Sequence, residues 1–380
     1  MQKILVCSSH FHPHVGGVER YVEELFSRMA ASGAYEVHII TLDNKGPRTE
    51  FYRGLRIHRL PYFLSVGDVF RMPSISAWRN FVHEEVIGKD FKIISTQTRF
   101  HVLCYLGMRL AKHLRIRHVH TEHGGSFVRH PNLIIQGGAY IFDQAIGRQV
   151  LSGADRITGV SRQVIEFIKL WIGRDGTIVH NGIDPQFWNP ITAMALPNEL
   201  SEWIASRRPI LFIGRIARAK GWLQLLDAVE GMSESDRKVL CFLVVGDGPE
   251  SVLLRQKISA SPILLKSVLF LGRQRPEAIR DILAVADYVN PSYSGEGLQT
   301  TLLEAASMGS PIISTDVSGA IEVVTSSQVG RLIAQQDVME LRQALSQAAL
   351  IPLRSAGREI VLQDFSWKRI VADYRKVLTS

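Results

Sequence analysis

An α/β chain of two doubly wound parallel-sheet domains is what this sequence predicts. Three observations lead there: its length, a repeated alternation of strand, loop and helix, and a break after which the alternation starts again. The 380 residues exceed the usual span of one hydrophobic core. The first apolar run, residues 4–7, is followed by a Gly-containing turn. Val18, Val22, Leu25, Phe26 and Met29 then recur at helical spacing. Further strand-like runs fall at 37–41, 93–95, 118–120, 155–160 and 177–179. Strands separated by helical patterns imply βαβ units whose sheet is buried by helices on both faces.

The break is at 184–209, which holds Pro185, Pro190, Pro197 and Pro209 and no sustained strand pattern; it is the linker candidate. Runs at 209–214, 240–246, 268–272, 288–291 and 311–315 then repeat the first pattern, several of them ending in Gly or Pro. The expected division is a first domain at 1–183, a linker at 184–209, a second domain at 210–363 and a closing amphipathic helix at 364–380. Open parallel sheets bind ligands beyond the carboxyl ends of their strands, so two such domains predict a ligand in a cleft between them.

Composition narrows the function classes. Hydrophobic residues make up 46% and charged residues 21%, as in ordinary folded domains. The three cysteines, Cys7, Cys104 and Cys241, sit in or beside apolar runs; their odd number and wide spacing argue for a reducing compartment. No stretch approaches the roughly 20 apolar residues of a membrane span. The opening residues turn polar too soon for a signal peptide, so a cytoplasmic chain is expected. Charge is uneven. Residues 1–180 hold 23 Lys/Arg against 15 Asp/Glu, whereas 181–380 hold 21 of each. Such asymmetry suits an anionic partner on the first half, or a basic face facing only water.

The segment 294–311 carries the chemistry. Glu296 and Glu304 are separated by seven residues, and Gly309 is a suitable helix C-cap. A helix opening just after Glu296 would present backbone N–H groups to a phosphate. Carboxylates beside it can accept hydrogen bonds from sugar and ribose hydroxyls. Arg215 and Lys220 follow a strand and a short loop, where fixed positive charge can neutralise a departing diphosphate. Gly16 and Gly17 allow a phosphate to approach the backbone, although the full Gly-x-Gly-x-x-Gly fingerprint is absent.

These segments together resemble glycosyltransferase family 4, whose members are retaining enzymes of the GT-B fold. The resemblance runs almost the whole chain in order: 16–19, 181–184, Gly214-Arg215 with Lys220-Gly221, 246–249, 270–272, the Glu296 to Glu304 segment through 313, and 365–367. It implies a nucleotide-sugar donor, UDP- or GDP-linked, and a glycan or lipid-linked acceptor, in surface polysaccharide or lipopolysaccharide synthesis. It implies that His123 lies near the transferred sugar and acts on it or on the transition state. Arg273 would approach the nucleotide base, and Gly297, Leu298, Gln299 and Thr300 would line the donor. Leu298-Gln299-Thr300 stands where many members have Phe-Gly-Leu or Phe-Pro-Leu, so the donor sugar is not read from it. Glu19 and Ser161 are lesser candidates. The terminal helix is expected to cross back to the first domain.

No metal or other cofactor is expected. His10, His12 and His14 alternate, as do His118 and His120, but no Cys or carboxylate completes a ligand shell at familiar spacing, and the chain has no Asp-x-Asp pair. No nucleic-acid partner is expected. Arg109, Lys112, His113, Arg115 and Arg117 form a basic stretch with two readings: a face on an anionic membrane, which would make the chain peripheral at the inner face, or a solvated helix face. A nucleotide-sugar epimerase or phosphorylase of the same fold, or a non-catalytic nucleotide-sugar-binding protein, remains the alternative.

Overall fold

The computed structural model describes every residue except 15, 67–69, 128–131, 294–296, 318, 349–355 and 380. The chain divides into two compact units. The first comprises residues 1–181, the short piece ending at Leu298, and Trp367–Ser380; the second comprises Gly182–Gly295 and Gln299–Ser366.

The first unit is built on strands β1 (Gln2–Cys7), β2 (Tyr35–Leu42), β3 (Arg48–Tyr52), β4 (Leu55–Leu60), β5 (Tyr62–Val66), β6 (Phe70–Pro73), β7 (Phe91–Gln97), β8 (Arg117–Glu122), β9 (Arg156–Gly159) and β10 (Thr177–Ile178). Eight of them form one sheet in the order β10-β9-β8-β7-β1-β2-β4-β3, while β5 and β6 form a separate antiparallel hairpin. All pairings in the large sheet are parallel except β3 with β4. That antiparallel edge was not expected. Its strands carry Arg48, Glu50, Arg56, His58 and Arg59, so they lack the continuous apolar run of a central strand. The buried Arg59 guanidinium is satisfied by Glu50 across the pair, at 2.6 Å.

The second unit carries β11 (Arg208–Ile213), β12 (Leu240–Val245), β13 (Val268–Gly272), β14 (Asp287–Asn290), β15 (Ile312–Thr315) and β16 (Gly330–Ile333), in the order β13-β12-β11-β14-β15-β16. Every pairing is parallel. All six residues of β12, LCFLVV, are buried, as a strand covered on both faces requires. Each sheet reverses direction beside its first strand, between β1 and β7 and between β11 and β14. Those reversals are the switch points at which open α/β sheets bind ligands.

Residues 184–209 are not a bare linker. They belong with the second unit and contain a 3₁₀ turn (Pro190–Thr192) and a helix (Asn198–Ile204). Trp188, 1% exposed, anchors them, and its carbonyl accepts hydrogen bonds from Ser307 Oγ (2.7 Å) and Arg358 (2.9 Å). The prolines thus punctuate a packed segment.

The terminal stretch is two helices, Gly357–Asp364 and Trp367–Thr379, with Phe365 and Ser366 between them. The second packs on the first unit through its apolar face: Tyr374 Oη meets Ser95 Oγ at 2.9 Å, and Arg117 donates to the Leu378 carbonyl at 2.6 Å. Among the described residues, no helix is long and apolar enough to cross a membrane.

Candidate functional site

In the second unit the switch point is bounded by the loops after β11 and β14. The first begins at Gly214-Arg215 and closes in a 3₁₀ turn, Arg218–Lys220. Gly221, at φ +74°, approaches the second loop so closely that a Cβ there would sit 2.0 Å from the Pro291 carbonyl oxygen. The Ala219 carbonyl accepts from Tyr293 N–H (3.0 Å) and Ser292 Oγ (3.2 Å). Backbone contacts therefore interlock the cationic loop with the segment leading to the paired glutamates. Arg215 is exposed and makes no ion pair with a described residue; Lys220 is half-buried.

Glu296 lies outside the described residues. The helix after it is Thr300–Met308, with Gln299 as its N-cap residue and Gly309 as its left-handed C-cap. Its start is therefore later than the expected opening just after Glu296, because Gly297 and Leu298 are taken up in a bend. Gln299 is buried, Thr300 is half-buried, and Glu304 is 4% exposed in the second turn. Arg273, exposed after β13, lies near the exposed Asp247. The Ser251 hydroxyl, then the Gly248 N–H, and more weakly Arg273, hold the Asp247 carboxyl below its usual range.

In the first unit, Gly297 and Leu298 pack with residues at the strand ends. A Cβ on Gly297 would meet the Val160 side chain at 2.2 Å and the His123 carbonyl oxygen at 2.5 Å. The Leu298 carbonyl accepts from the Asn181 side-chain amide. The structure thus brings Gly297 and His123 together. Gly16 is the N-cap residue of the helix Gly17–Ala31, beside the Glu19 carboxylate, which also meets His14 at 3.2 Å. A Cβ on Gly17 would meet no described atom within 4 Å, so packing does not demand glycine there. Ser161 is committed as a helix cap, accepting from Val164 N–H at 3.3 Å.

His123 follows β8, next to the end of β7, and its Nε2 lies 3.0 Å from Gln97 Oε1. Burial pushes its pKa down to about 4, against the opposing pull of Glu122. The ring is therefore neutral at pH 7. With Nε2 donating to Gln97, Nδ1 is left as an acceptor; the tautomer is inferred from this hydrogen bond.

Beneath it lies a network that sequence reasoning missed. Glu122, fully buried, accepts from the N–H groups of His123 (3.0 Å), Gly124 (2.9 Å) and Arg99 (3.1 Å), and pairs with the Arg99 guanidinium at 3.1 Å. Burial alone would raise the Glu122 carboxyl; Arg99 and then His120 outweigh it and hold the group below the usual carboxylate range. Arg99 also bonds Asp143 at 3.1 Å and stacks over Phe167 and Trp171. Glu122 closes β8 and Arg99 lies two residues past the end of β7, and no local pattern links the two. His118 and His120 are held within the sheet: Thr96 Oγ1 lies 2.8 Å from each. Among the described residues, no group of three or more His, Cys, Asp or Glu side chains is placed to hold a metal ion. The three cysteines are buried free thiols.

A family model described as Glycosyltransferase Family 4 matches residues 15–187, and one described as Glycosyl transferases group 1 matches 207–349. An uncharacterized glycosyltransferase of Methanocaldococcus jannaschii is 27% identical over 393 residues, covering 99% of this chain and 97% of its own length. Among solved structures, a sucrose-phosphate synthase from Thermosynechococcus elongatus superposes with a TM-score of 0.76 at 20% identity, each chain covered in full. The Anabaena protein HepE, solved in complex with UDP, gives 0.74 at 16% identity, again with both chains fully covered. At such identities these structures speak for the fold alone. The two family models, matched in order along a chain whose units are both parallel α/β sheets, place this protein in glycosyltransferase family 4, with the GT-B fold.

Proposed function

We propose that this glycosyltransferase takes a sugar from a UDP- or GDP-sugar and transfers it, with retention of anomeric configuration and without a metal, to a glycan or lipid-linked glycan acceptor. The observation that carries the reading is the interlocked pair of loops at the second switch point. There Ala219 ties the Arg215–Lys220 loop to the segment that leads into the glutamates. Arg215 and Lys220 neutralise the diphosphate as it gains charge, with help from the N-terminus of the helix Thr300–Met308. Glu304 holds the ribose, Glu296 holds sugar hydroxyls, and Gly297, Leu298, Gln299 and Thr300 shape the donor pocket. Arg273 lies beside the base. Gly16 and Gly17 give a phosphate access to the backbone, and neutral His123 accepts a sugar hydroxyl at Nδ1. The acceptor oxygen bonds to the anomeric carbon on the face from which the phosphate leaves. The bond from that carbon to the phosphate oxygen breaks, and the acceptor's proton passes to the departing phosphate. The HepE complex with UDP supports a uridine nucleotide as the first donor to try.

The test is nucleotide release from UDP-, GDP- and ADP-sugars in the presence of chelator, for the wild type and Glu304→Ala, followed by NMR assignment of the product's anomeric configuration. Release from one donor, insensitive to chelator, lost in the variant and giving a retained product, is expected. Absence of both release and donor binding would overturn the reading in favour of a scaffold role; an inverted product would overturn the mechanism.

A further inference from the structure

The helix Leu133–Phe142, LIIQGGAYIF, has no charged side chain, yet only Ala139 of its ten residues is buried. Leu133 is 80% exposed, Ile134 85% and Ile141 68%. A helix of a globular domain ordinarily turns its apolar stripe to the core; this one turns it to the surface. The hairpin β5–β6 stands beside it, with the Phe70 ring 5.3 Å from Phe142, and it exposes Phe63, Leu64 and Val66. A cleft of about 670 Å³ between the helix and the rings of Phe127 and Phe167 continues the apolar surface.

A cationic element adjoins this face. The helix Val102–Leu114 packs against β6 and against the π turn Asp143–Gly147 that prolongs the apolar helix. It contains no acidic residue. Arg109, Lys112 and His113 are exposed along it, as is Arg115 at its end, while Met108 and Leu110 point into the core.

We infer that this face of the first unit docks on an anionic membrane surface, the apolar side chains entering the headgroup boundary and the cations of the neighbouring helix lying on lipid phosphates. Charge selects this occupant. Residues 1–180 hold the chain's whole excess of positive charge, which anionic headgroups neutralise. A twofold pairing of two copies through the same face would bring the cationic helix of each into one interface, setting like charges together. The inference does not depend on the donor or mechanism proposed above.

Co-sedimentation tests it, with the whole chain and vesicles of phosphatidylcholine alone or mixed with phosphatidylglycerol. Binding to the mixed vesicles is expected, falling as salt is raised. Leu133→Ser/Ile134→Ser/Ile141→Ser should lower partitioning at least about tenfold, since that apolar area no longer leaves water. Arg109→Gln/Lys112→Gln should lower it roughly fivefold per cation removed. Both variants should keep the wild-type melting temperature and nucleotide affinity. Failure of the wild type to bind mixed vesicles, or binding that neither variant weakens, would overturn the inference. A wild-type dimer that the apolar variant converts to monomer in sedimentation velocity would also overturn it, assigning the face to a second copy.

Discussion

At the strand ends of the first unit the charged groups are buried and already paired: Glu122 and Arg99 with each other, Arg99 also with Asp143. At the strand ends of the second unit the cations sit on glycine-bearing loops, with Arg215 and Arg273 exposed to solvent. The two sheets share one kind of topology and the same kind of switch point, so topology did not produce this difference. A paired, desolvated network holds a neutral ring such as His123 rigidly in place, whereas exposed cations are available to a charged ligand. All thirteen histidines lie in residues 1–180 and none in the rest. The buried histidines whose protonation is suppressed by burial are therefore all in the first unit.

The largest effect expected, and the most direct way to break this contrast, is Glu122→Gln. It removes one of the two carboxylates paired with Arg99 in a buried setting and should destabilise the first unit by up to about 3–5 kcal/mol. Hydrogen exchange should then show β7 and β8 opening while β11 and β12 stay protected. Uniform opening of both units would show that they are not energetically separable.

Lys220→Ala and Arg215→Ala belong to the opposite regime. Each should lower kcat by about 10²–10³-fold, the usual consequence of removing a group that stabilises developing charge. Melting temperature should hardly move, since loop cations contribute little to stability. Steady-state kinetics beside thermal denaturation separates the two effects.

Gly297→Ala probes the packing of that glycine against Val160 and His123 within the first unit. The new methyl would collide with Val160 and with the His123 carbonyl, and should cost about 1–3 kcal/mol in chemical denaturation. Val160→Ala in the same chain relieves the first clash and should recover part of the loss.

Acid should sharpen the contrast most gently. Burial lowers the pKa of His58 to about 3 and those of His101, His118 and His123 to about 4. Each is depressed in the folded state, so the unfolded chain takes up protons first as pH falls. The stabilisation is complete above about 6.5 and drains away down to about 4, or about 3 for His58. The slope is at most ~1.4 kcal/mol per pH unit for each histidine. Urea melts between pH 7.5 and 4.5, followed at probes in each unit, should show this loss in the first unit and not in the second.

The chain's pattern alone determined the repeated α/β plan, because strands covered on both faces must be continuous apolar runs such as LCFLVV in β12. It also marked the Gly-bearing loop that carries Arg215 and Lys220, since glycine and proline punctuate a chain locally. What it did not reveal depends on pairing over distance. The edge strand β3 and its neighbour β4 mix charged and apolar residues, and the buried Arg59 is tolerated because Glu50 across the pair, Asp43 and the His12 carbonyl meet it. Residues 184–209 read as a linker until Trp188 is seen packed within the second unit. Gly297 packs against Val160, 137 positions earlier in the chain, and no local pattern announces that contact. Arg99 and Glu122 lie 23 residues apart and carry no mutual signature. Parallel packing of β7 against β8 is what sets their charges together in a place from which water is excluded.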